Sequence, residues 1–199
     1  MRRSFDVLAA LIGLVLLSPM FALIATAIKL SDGGPVFHKA QRVGLQRKPF
    51  TLLKFRTMIV GADRLGAGIT TAGDKRITSV GLFLRHYKLD EYPQLINVLR
   101  RDMNLVGPRP EDPWFTKHYS DAQRKIFAFR PGITSPASLH FRDEASLLVG
   151  SDWMEVYANT IIPQKLDMDL KYFESNTFWS DLKILVQTVA NIYRTPLRT

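Results

Sequence analysis

The chain has 199 residues, of which 46% are hydrophobic and 23% charged, a composition that excludes a disordered or fibrous protein. It contains no cysteine, which excludes a disulfide framework, a thiolate metal site and a cysteine nucleophile. Its 27 Lys and Arg residues against 18 Asp and Glu give a net charge of +9. Such a charge indicates a negative partner: a nucleic acid, an anionic membrane surface or phosphorylated substrates.

The first predicted element is an apolar helix near the N-terminus. Residues 7–28 carry no charge, and a helix of 22 residues extends about 33 Å, enough to cross a hydrocarbon core. Three interpretations compete: a cleaved signal peptide, one straight membrane-spanning helix, and a broken helix that enters and leaves at the same face. Asp6 interrupts the basic start and the apolar run is long, and both features disfavour a signal peptide.

Ser18 and Pro19 favour the broken helix. Pro19 cannot donate a hydrogen bond to the Val15 carbonyl, and its ring pushes that turn open. Ser18 can bend the backbone further by donating to the carbonyl of Leu14. Kinked spanning helices exist, so the proline alone does not decide between a hairpin and a straight span.

The distribution of charge also favours a hairpin. Two arginines precede the apolar run, and seven basic residues against one acidic residue lie between Lys29 and Arg56. Basic residues at both ends predict that both ends stay cytoplasmic. We therefore predict a re-entrant membrane hairpin over residues 1–30 and a cytoplasmic, membrane-associated catalytic domain over residues 31–199.

The remaining pattern predicts a small α+β domain that is mainly helical. Short strands are expected at residues 35–38 and 50–55, followed by a mobile Gly-, Ala- and Thr-rich loop over residues 61–75. Residues 82–103 are mostly helical in pattern, with a helix that begins near Asp90 and holds Pro93 in its first turn.

Three further helices are predicted in the C-terminal third. Two are expected over residues 151–160 and 164–172, on either side of Pro163. The last is amphipathic, with Ser180 as its predicted N-cap. Such a helix either closes the core or lies on the membrane surface, and both interpretations stay open.

Asp90 and Glu91 are the first candidates for chemistry. Adjacent carboxylates at a helix start are stabilised as anions by the helix dipole, and their side chains diverge by about 100°. One carboxylate could attack as a nucleophile while the other holds a cation or moves a proton. The alternative is a solvated capping pair, which is the more common meaning of Asp-Glu at a helix start.

Three arginines are the second candidates, because they lie among apolar or rigid neighbours: Arg56, Arg85 and Arg109. The planar guanidinium fork matches the oxygens of a phosphate, and the prolines on both sides of Arg109 hold its backbone at low entropy. The alternative is a set of surface arginines that extend along an interface.

Residues 89–99 (LDEYPQLINVL) and 102–110 (DMNLVGPRP) resemble the signature of the bacterial sugar transferases. These are monotopic phosphoglycosyl transferases that begin glycan assembly on polyprenol phosphate. The resemblance covers nearly the whole chain in order. It continues in the Ser18-Pro19 break, GPVF at 34–37, KFRTM at 54–58, RPGIT at 130–134 and DLKIL at 181–185.

The resemblance implies a reaction and roles for the site residues. A sugar 1-phosphate would move from a UDP-sugar to undecaprenyl phosphate with Mg²⁺ as cofactor, releasing UMP through a covalent aspartyl phosphosugar intermediate. Asp90 matches the family's nucleophile and Glu91 its partner carboxylate, and the two are the expected metal ligands. The residues expected to bind substrate phosphate are Arg85, Arg109, Arg56 and Lys54, the last two as weaker matches.

The implied location is the cytoplasmic face of the bacterial inner membrane, with its phospholipids as partners. No nucleic-acid partner is expected, because the basic cluster lies beside the anchor, where a membrane or a lipid phosphate explains it better. A non-catalytic membrane scaffold would not need the two carboxylates and the arginines together. Residues 135–144 depart from the family pattern where sugar selectivity could be set, so the sugar stays open, as does the oligomeric state, a homodimer included.

Overall fold

The computed structural model of the chain describes residues 2–62, 73–148 and 152–194. Its helices are α1 (Arg2–Asp32), α2 (Ser79–His86), α3 (Gln94–Leu99), α4 (Pro113–Thr116), α5 (Asp121–Arg124), α6 (Pro136–His140), α7 (Trp153–Val156), α8 (Ile162–Phe173) and α9 (Phe178–Arg194). Its strands are β1 (Phe37–Val43), β2 (Pro49–Phe55), β3 (Asn104–Val106) and β4 (Gly132–Thr134). The fold is therefore mostly helical α+β, as predicted.

The strands form two small sheets. β1 and β2 pair antiparallel, with Phe37 opposite Phe55 and Val43 opposite Pro49, so both strands are longer or differently bounded than the sequence suggested. β3 and β4 pair parallel, and neither was predicted, because three-residue strands leave too short a pattern to detect. Most of the expected loop, residues 63–72, lies outside the described residues.

α1 is one helix of 31 residues with Pro19 inside it. The sequence predicted two helices separated by a break at this proline. The Ser18 hydroxyl donates to the Val15 carbonyl at 2.8 Å, rather than to Leu14 as predicted. Val15 is the residue whose carbonyl Pro19 leaves without its helical donor. Ser18 therefore supplies the missing hydrogen bond, which lets the helix continue through the proline. The re-entrant membrane topology stays a prediction.

Both halves of α1 pack against the same domain. Ala10, in the first half, is fully buried in a cluster with Val98 of α3, Leu105 of β3 and Met103 between them. Ile24 and Ile28, in the second half, are buried in another cluster against β2 and α2. The opposite face of α1 exposes leucine, isoleucine and valine side chains along its length. Among the described residues, α1 is the one helix long and apolar enough to cross a membrane.

The N-terminal arginines also tie α1 to the domain. Arg3 donates to the carbonyls of Val98 at 2.5 Å and Met103 at 3.0 Å, where α3 ends. Arg2 donates to the Asn176 carbonyl at 2.5 Å, just before α9. The N-terminal end of the apolar helix is therefore attached to the domain that follows it.

The C-terminal helices differ from the sequence prediction at their boundaries. α7 and α8 are joined without a break by a π-helical turn at Tyr157–Ile161, and Pro163 follows directly after that turn. Ser180 is not the N-cap of α9. The N–H of Ser180 donates to the Thr177 hydroxyl at 3.1 Å, so Thr177 caps the helix.

α9 closes the core with one face and leaves a second apolar face outside. Ile184 is buried against Val106 and Phe173. The side chains of Trp179, Val186 and Val189, by contrast, are more than half exposed. The helix thus combines the two roles that the sequence left open, core packing and an apolar surface.

Candidate active site

The two candidate carboxylates lie on a short 3₁₀ turn, Leu89–Glu91, between α2 and α3. The predicted helix start near Asp90 is therefore wrong by one turn, because α3 begins at Gln94 with Pro93 before it. Side chains one residue apart on a 3₁₀ turn diverge by about 120°, so Asp90 and Glu91 still face different neighbours. Charged side chains, rather than the dipole of a long helix, set the electrostatics of the pair.

Glu91 is held by two cations. Its Oε1 accepts from Arg109 Nη2 at 2.6 Å and from Lys54 Nζ at 3.1 Å, and its Oε2 accepts from Arg109 Nη1 at 3.3 Å. Its side chain is only 13% exposed. Burial opposes ionisation, but the charges of Arg109 and Lys54 outweigh it and hold the pKa of Glu91 well below the ordinary value. Glu91 is therefore a firmly ionised anion.

Asp90 has a different environment. It is 7% exposed, and its Oδ1 is buried without a hydrogen-bond partner. Burial raises the pKa of Asp90 above its ordinary value, although Lys54 acts in the opposite direction. A carboxylate that is more basic and has an unengaged oxygen is the better nucleophile of the two.

Lys54 reaches the site because α3 is fastened to β2. The side-chain oxygen of Asn97, in α3, accepts from Leu53 N at 3.0 Å, and its amide nitrogen donates to the Thr51 carbonyl at 2.8 Å. Asn97 is fully buried, so this clamp is protected from water. It holds the strand that carries Lys54 next to the turn that carries Glu91.

Arg85 approaches the site from α2. Its Nε donates to the Thr57 hydroxyl at 2.7 Å, and its charge acts on Asp90. α2 packs directly on the Thr57 backbone at Gly81. A Cβ at this position would overlap the Thr57 carbonyl group, so the close contact requires glycine. The close contact between α2 and this backbone keeps Arg85 within the electrostatic reach of Asp90.

Arg109 is positioned by a crossing of two backbones. Gly107 N donates to the Thr134 carbonyl and Gly132 N to the Pro108 carbonyl, both at 3.0 Å. A Cβ on either glycine would overlap the other segment, so only glycine fits at the crossing. The crossing fixes the backbone before Arg109, whose side chain stays 34% exposed while it binds Glu91.

Arg56 does not join this group. It is 8% exposed and pairs with Asp32 at the end of α1, and its Nε donates to the Pro35 carbonyl at 2.6 Å. A further contact joins it to the Met58 carbonyl at 3.2 Å. The structure therefore gives Arg56 a different place from the predicted phosphate site: it fastens the membrane helix to the segment after β2.

Lys88 belongs to the site but was not predicted. It precedes the 3₁₀ turn with a left-handed backbone (φ 54°), and its Nζ donates to the Arg142 carbonyl at 3.2 Å. Its charge acts on both Glu91 and Asp90. A strained backbone beside a charged site is a signal of function, but the residue type alone does not reveal the left-handed backbone of Lys88.

The carboxylates of the site provide only part of the ligands that a divalent cation needs. Among residues 2–62, 73–148 and 152–194, no three His, Cys, Asp or Glu side chains lie together as a metal cage. The unpaired Oδ1 of Asp90 is a free carboxylate ligand, and Glu91 Oε2 has only one long contact. One or two carboxylates, completed by water and substrate phosphate, is the usual set for Mg²⁺.

Comparison with known proteins connects this geometry to a family. The profile of the bacterial sugar transferases matches residues 1–195. A UDP-glucose:undecaprenyl-phosphate glucose-1-phosphate transferase of Caulobacter vibrioides is 37% identical over 98% of this chain and 70% of its own. The Escherichia coli protein of the same name is 36% identical over 95% of this chain and 39% of its own. A UDP-N-acetylgalactosamine-undecaprenyl-phosphate N-acetylgalactosaminephosphotransferase of Aeromonas hydrophila is 34% identical over 96% and 43%. The chain therefore belongs to the bacterial sugar transferase family.

Proposed function

We propose that the protein transfers a sugar 1-phosphate from a UDP-sugar to undecaprenyl phosphate, with Asp90 as nucleophile and UMP as the first product. The observation that carries the proposal is the asymmetry of the carboxylate pair. Glu91 is bonded by both Arg109 and Lys54, whereas Asp90 keeps a buried oxygen without a partner. The names of the relatives support the same substrate classes.

The reaction divides into two displacements at one phosphorus atom. In the first, an Asp90 oxygen bonds to the sugar-linked phosphorus, and the bond from that phosphorus to the bridging oxygen breaks, so UMP leaves with the electron pair. In the second, an oxygen of undecaprenyl phosphate attacks the same phosphorus and releases the Asp90 carboxylate. A covalent intermediate means that the site need not hold two bulky anionic substrates at once.

The cations lower the repulsion between an anionic nucleophile and an anionic diphosphate. Arg109, one-third exposed, can bind a diphosphate oxygen on its open side while Glu91 holds the guanidinium in place. Arg85 and Lys88 add positive charge next to Asp90. Asp90 and Glu91 are the residues that would hold Mg²⁺, which when bound supplies further neutralisation of the phosphate charge.

The structure of α1 supports catalysis at one face of a membrane. Both halves of the helix pack on the same domain, so a bilayer that receives its exposed apolar face leaves both ends on the side of that domain. The lipid phosphate lies at that surface, where basic residues attract it. We therefore place the catalytic domain on the cytoplasmic face of the bacterial inner membrane, in the synthesis of glycoconjugates.

Release of UMP tests the proposed function. Purified protein in detergent or nanodiscs is incubated with Mg²⁺, undecaprenyl phosphate and one UDP-sugar at a time, including UDP-glucose and UDP-N-acetylgalactosamine because the relatives are named for both. UMP is expected with at least one sugar nucleotide and a lipid-linked sugar diphosphate as the second product. Absence of UMP with every sugar, in protein that is folded, would refute the proposal.

The membrane topology is tested by cysteine labelling. Single cysteines at positions 2 and 40, in a chain that has no native cysteine, should both be protected from an impermeant thiol reagent in intact cells. Replacing Ser18 and Pro19 with leucine should expose position 2, because leucine restores the backbone donor that Pro19 lacks and makes the apolar run of α1 more hydrophobic, and both changes favour a straight span. Labelling of position 2 from outside in the parent chain contradicts the re-entrant arrangement.

Arg109→Lys is expected to lower kcat/KM by roughly ten- to a hundredfold. Lysine keeps the charge but loses the planar fork that bonds both oxygens of Glu91 and can also bond a phosphate. The loss of one charge-assisted contact is worth about 1.5–3 kcal/mol, which sets this range. Arg124→Lys, in an exposed pair with Asp121, is the matched control and should leave UMP release unchanged.

A further inference from the structure

A second group of charges includes Glu111, two residues after Arg109 in the chain. Lys165, in α8, is buried, and its Nζ lies 2.7 Å from Glu144 Oε2. The same Nζ lies 3.5 Å from the hydroxyl of Tyr157, which donates to Glu111 Oε2 at 2.7 Å. These four side chains thus form one chain of contacts. The proposed reaction assigns no role to any of them.

Glu144 begins a short 3₁₀ turn that follows α6. Its segment is held at the site by Lys88, whose Nζ donates to the carbonyl of Arg142, two residues earlier. The negative charge of Glu144 acts on Arg109, after the larger effect of Glu91, and both raise the pKa of Arg109. Arg109 therefore has two carboxylates within its electrostatic reach but bonds only Glu91.

We infer that Lys165 is a positioning residue that neutralises Glu144 and so keeps Arg109 paired with Glu91. The inference rests on the proposed function, in which Arg109 binds the diphosphate. An ammonium group at 2.7 Å occupies Glu144 Oε2 and cancels most of its attraction for a second cation. The pair is largely buried, so water screens it little.

Removal of Lys165 leaves Glu144 with an uncompensated charge. We expect Glu144 to take Arg109 as its new partner, because Arg109 is one-third exposed and already within the electrostatic reach of Glu144. Glu91 would then lose one of its two cations, and the guanidinium would no longer face the diphosphate. Removal of Glu144 as well abolishes the competition, because a neutral side chain does not attract Arg109.

The test is a mutant cycle read out by UMP release at varied UDP-sugar concentration. Lys165→Met should raise KM by about tenfold, the size expected for a weakened charge-assisted contact, with a smaller change in kcat. Glu144→Gln alone should have a KM close to that of the parent protein. Lys165→Met combined with Glu144→Gln should recover most of the lost affinity. In an Arg109→Met background, Lys165→Met should have no further effect on KM.

Two controls separate positioning from folding. Lys171→Met removes a lysine from the same helix, in an exposed pair with Asp167 at 2.8 Å, and should leave KM unchanged. Lys165→Arg keeps the ion pair and should also retain activity. An unrescued double variant, or an additive effect in the Arg109→Met background, overturns the inference while UMP release by the parent protein upholds the proposed function.

A structure of the Lys165→Met variant gives a second readout that does not depend on activity. Arg109 is expected to bond Glu144 in that variant and to have left Glu91. If Arg109 still bonds both oxygens of Glu91 there, the inference is wrong. If the parent protein releases no UMP, the proposed function fails, and this structure still decides whether Lys165 controls the choice of Arg109 between two carboxylates.

Discussion

Asp90→Asn is expected to abolish the covalent intermediate and to leave no UMP release above background. The amide has nearly the same shape as the carboxylate but lacks the anionic oxygen that attacks phosphorus. The stability of the Asp90→Asn variant should be equal to or higher than that of the parent protein, because the change removes a buried carboxylate whose Oδ1 has no partner. Loss of activity without loss of stability is therefore the expected signature.

The measurement is mass spectrometry of protein incubated with UDP-sugar and Mg²⁺ but no lipid. The parent protein should release up to one equivalent of UMP and gain the mass of a sugar phosphate, with ping-pong kinetics once lipid is added. An adduct that persists in Asp90→Asn and maps to Glu91 reverses the assignment. Kinetics that require a ternary complex, without any adduct, indicate direct attack by the lipid phosphate.

Glu91→Gln is expected to lower kcat/KM by about a hundredfold and to destabilise the protein. Breaking a buried ion pair from one side costs about 3–5 kcal/mol, and the partial exposure of Arg109 reduces this to roughly 2 kcal/mol. The activity falls because Arg109 and Lys54 lose the anion that holds them. The expected loss of kcat/KM corresponds to a loss of transition-state stabilisation similar in size to the loss of folding stability. Urea unfolding and UMP release measure the two effects.

The stability difference between Glu91→Gln and the parent should depend on pH. The pKa of Glu91 is held below its ordinary value of 4.5, so its ion pairs contribute stability above that pH and lose it as the pH falls through the lowered value. The two proteins should therefore become more alike in acid. Asp121→Asn, which removes a 98% exposed carboxylate, is the control and should match the parent at every pH.

The sequence indicated which residues are candidates for the chemistry but said less about what those residues contact. Asp90, Glu91 and Arg109 were selected from local pattern and resemblance, and the structure brings them together. Arg56 was selected on the same grounds but pairs with Asp32, because a guanidinium bonds whichever carboxylate the fold places nearest. Local sequence does not contain that choice, which depends on how the end of α1 meets β2.

Long-range contacts also explain what the sequence missed. Lys88 looks like an ordinary surface lysine until its left-handed backbone and the Arg142 carbonyl are seen. Lys165 reads as a polar position of an amphipathic helix, yet it is buried against Glu144, 21 residues earlier in the chain. The Ser18 hydroxyl donates to the Val15 carbonyl beside Pro19, an acceptor that cannot be chosen from spacing alone.

The crossing of Gly107 and Gly132 has a consequence for how such an enzyme can change its substrate. The backbone before Arg109 is locked to β4, so the segment that follows β4, residues 135–144, starts from a fixed point relative to Arg109. We expect substitutions or insertions in that segment to alter the sugar preference while the proposed phosphate chemistry is preserved. Grafting residues 135–144 between relatives that use different sugars is thus a route to new donor specificity that leaves the reaction centre in place.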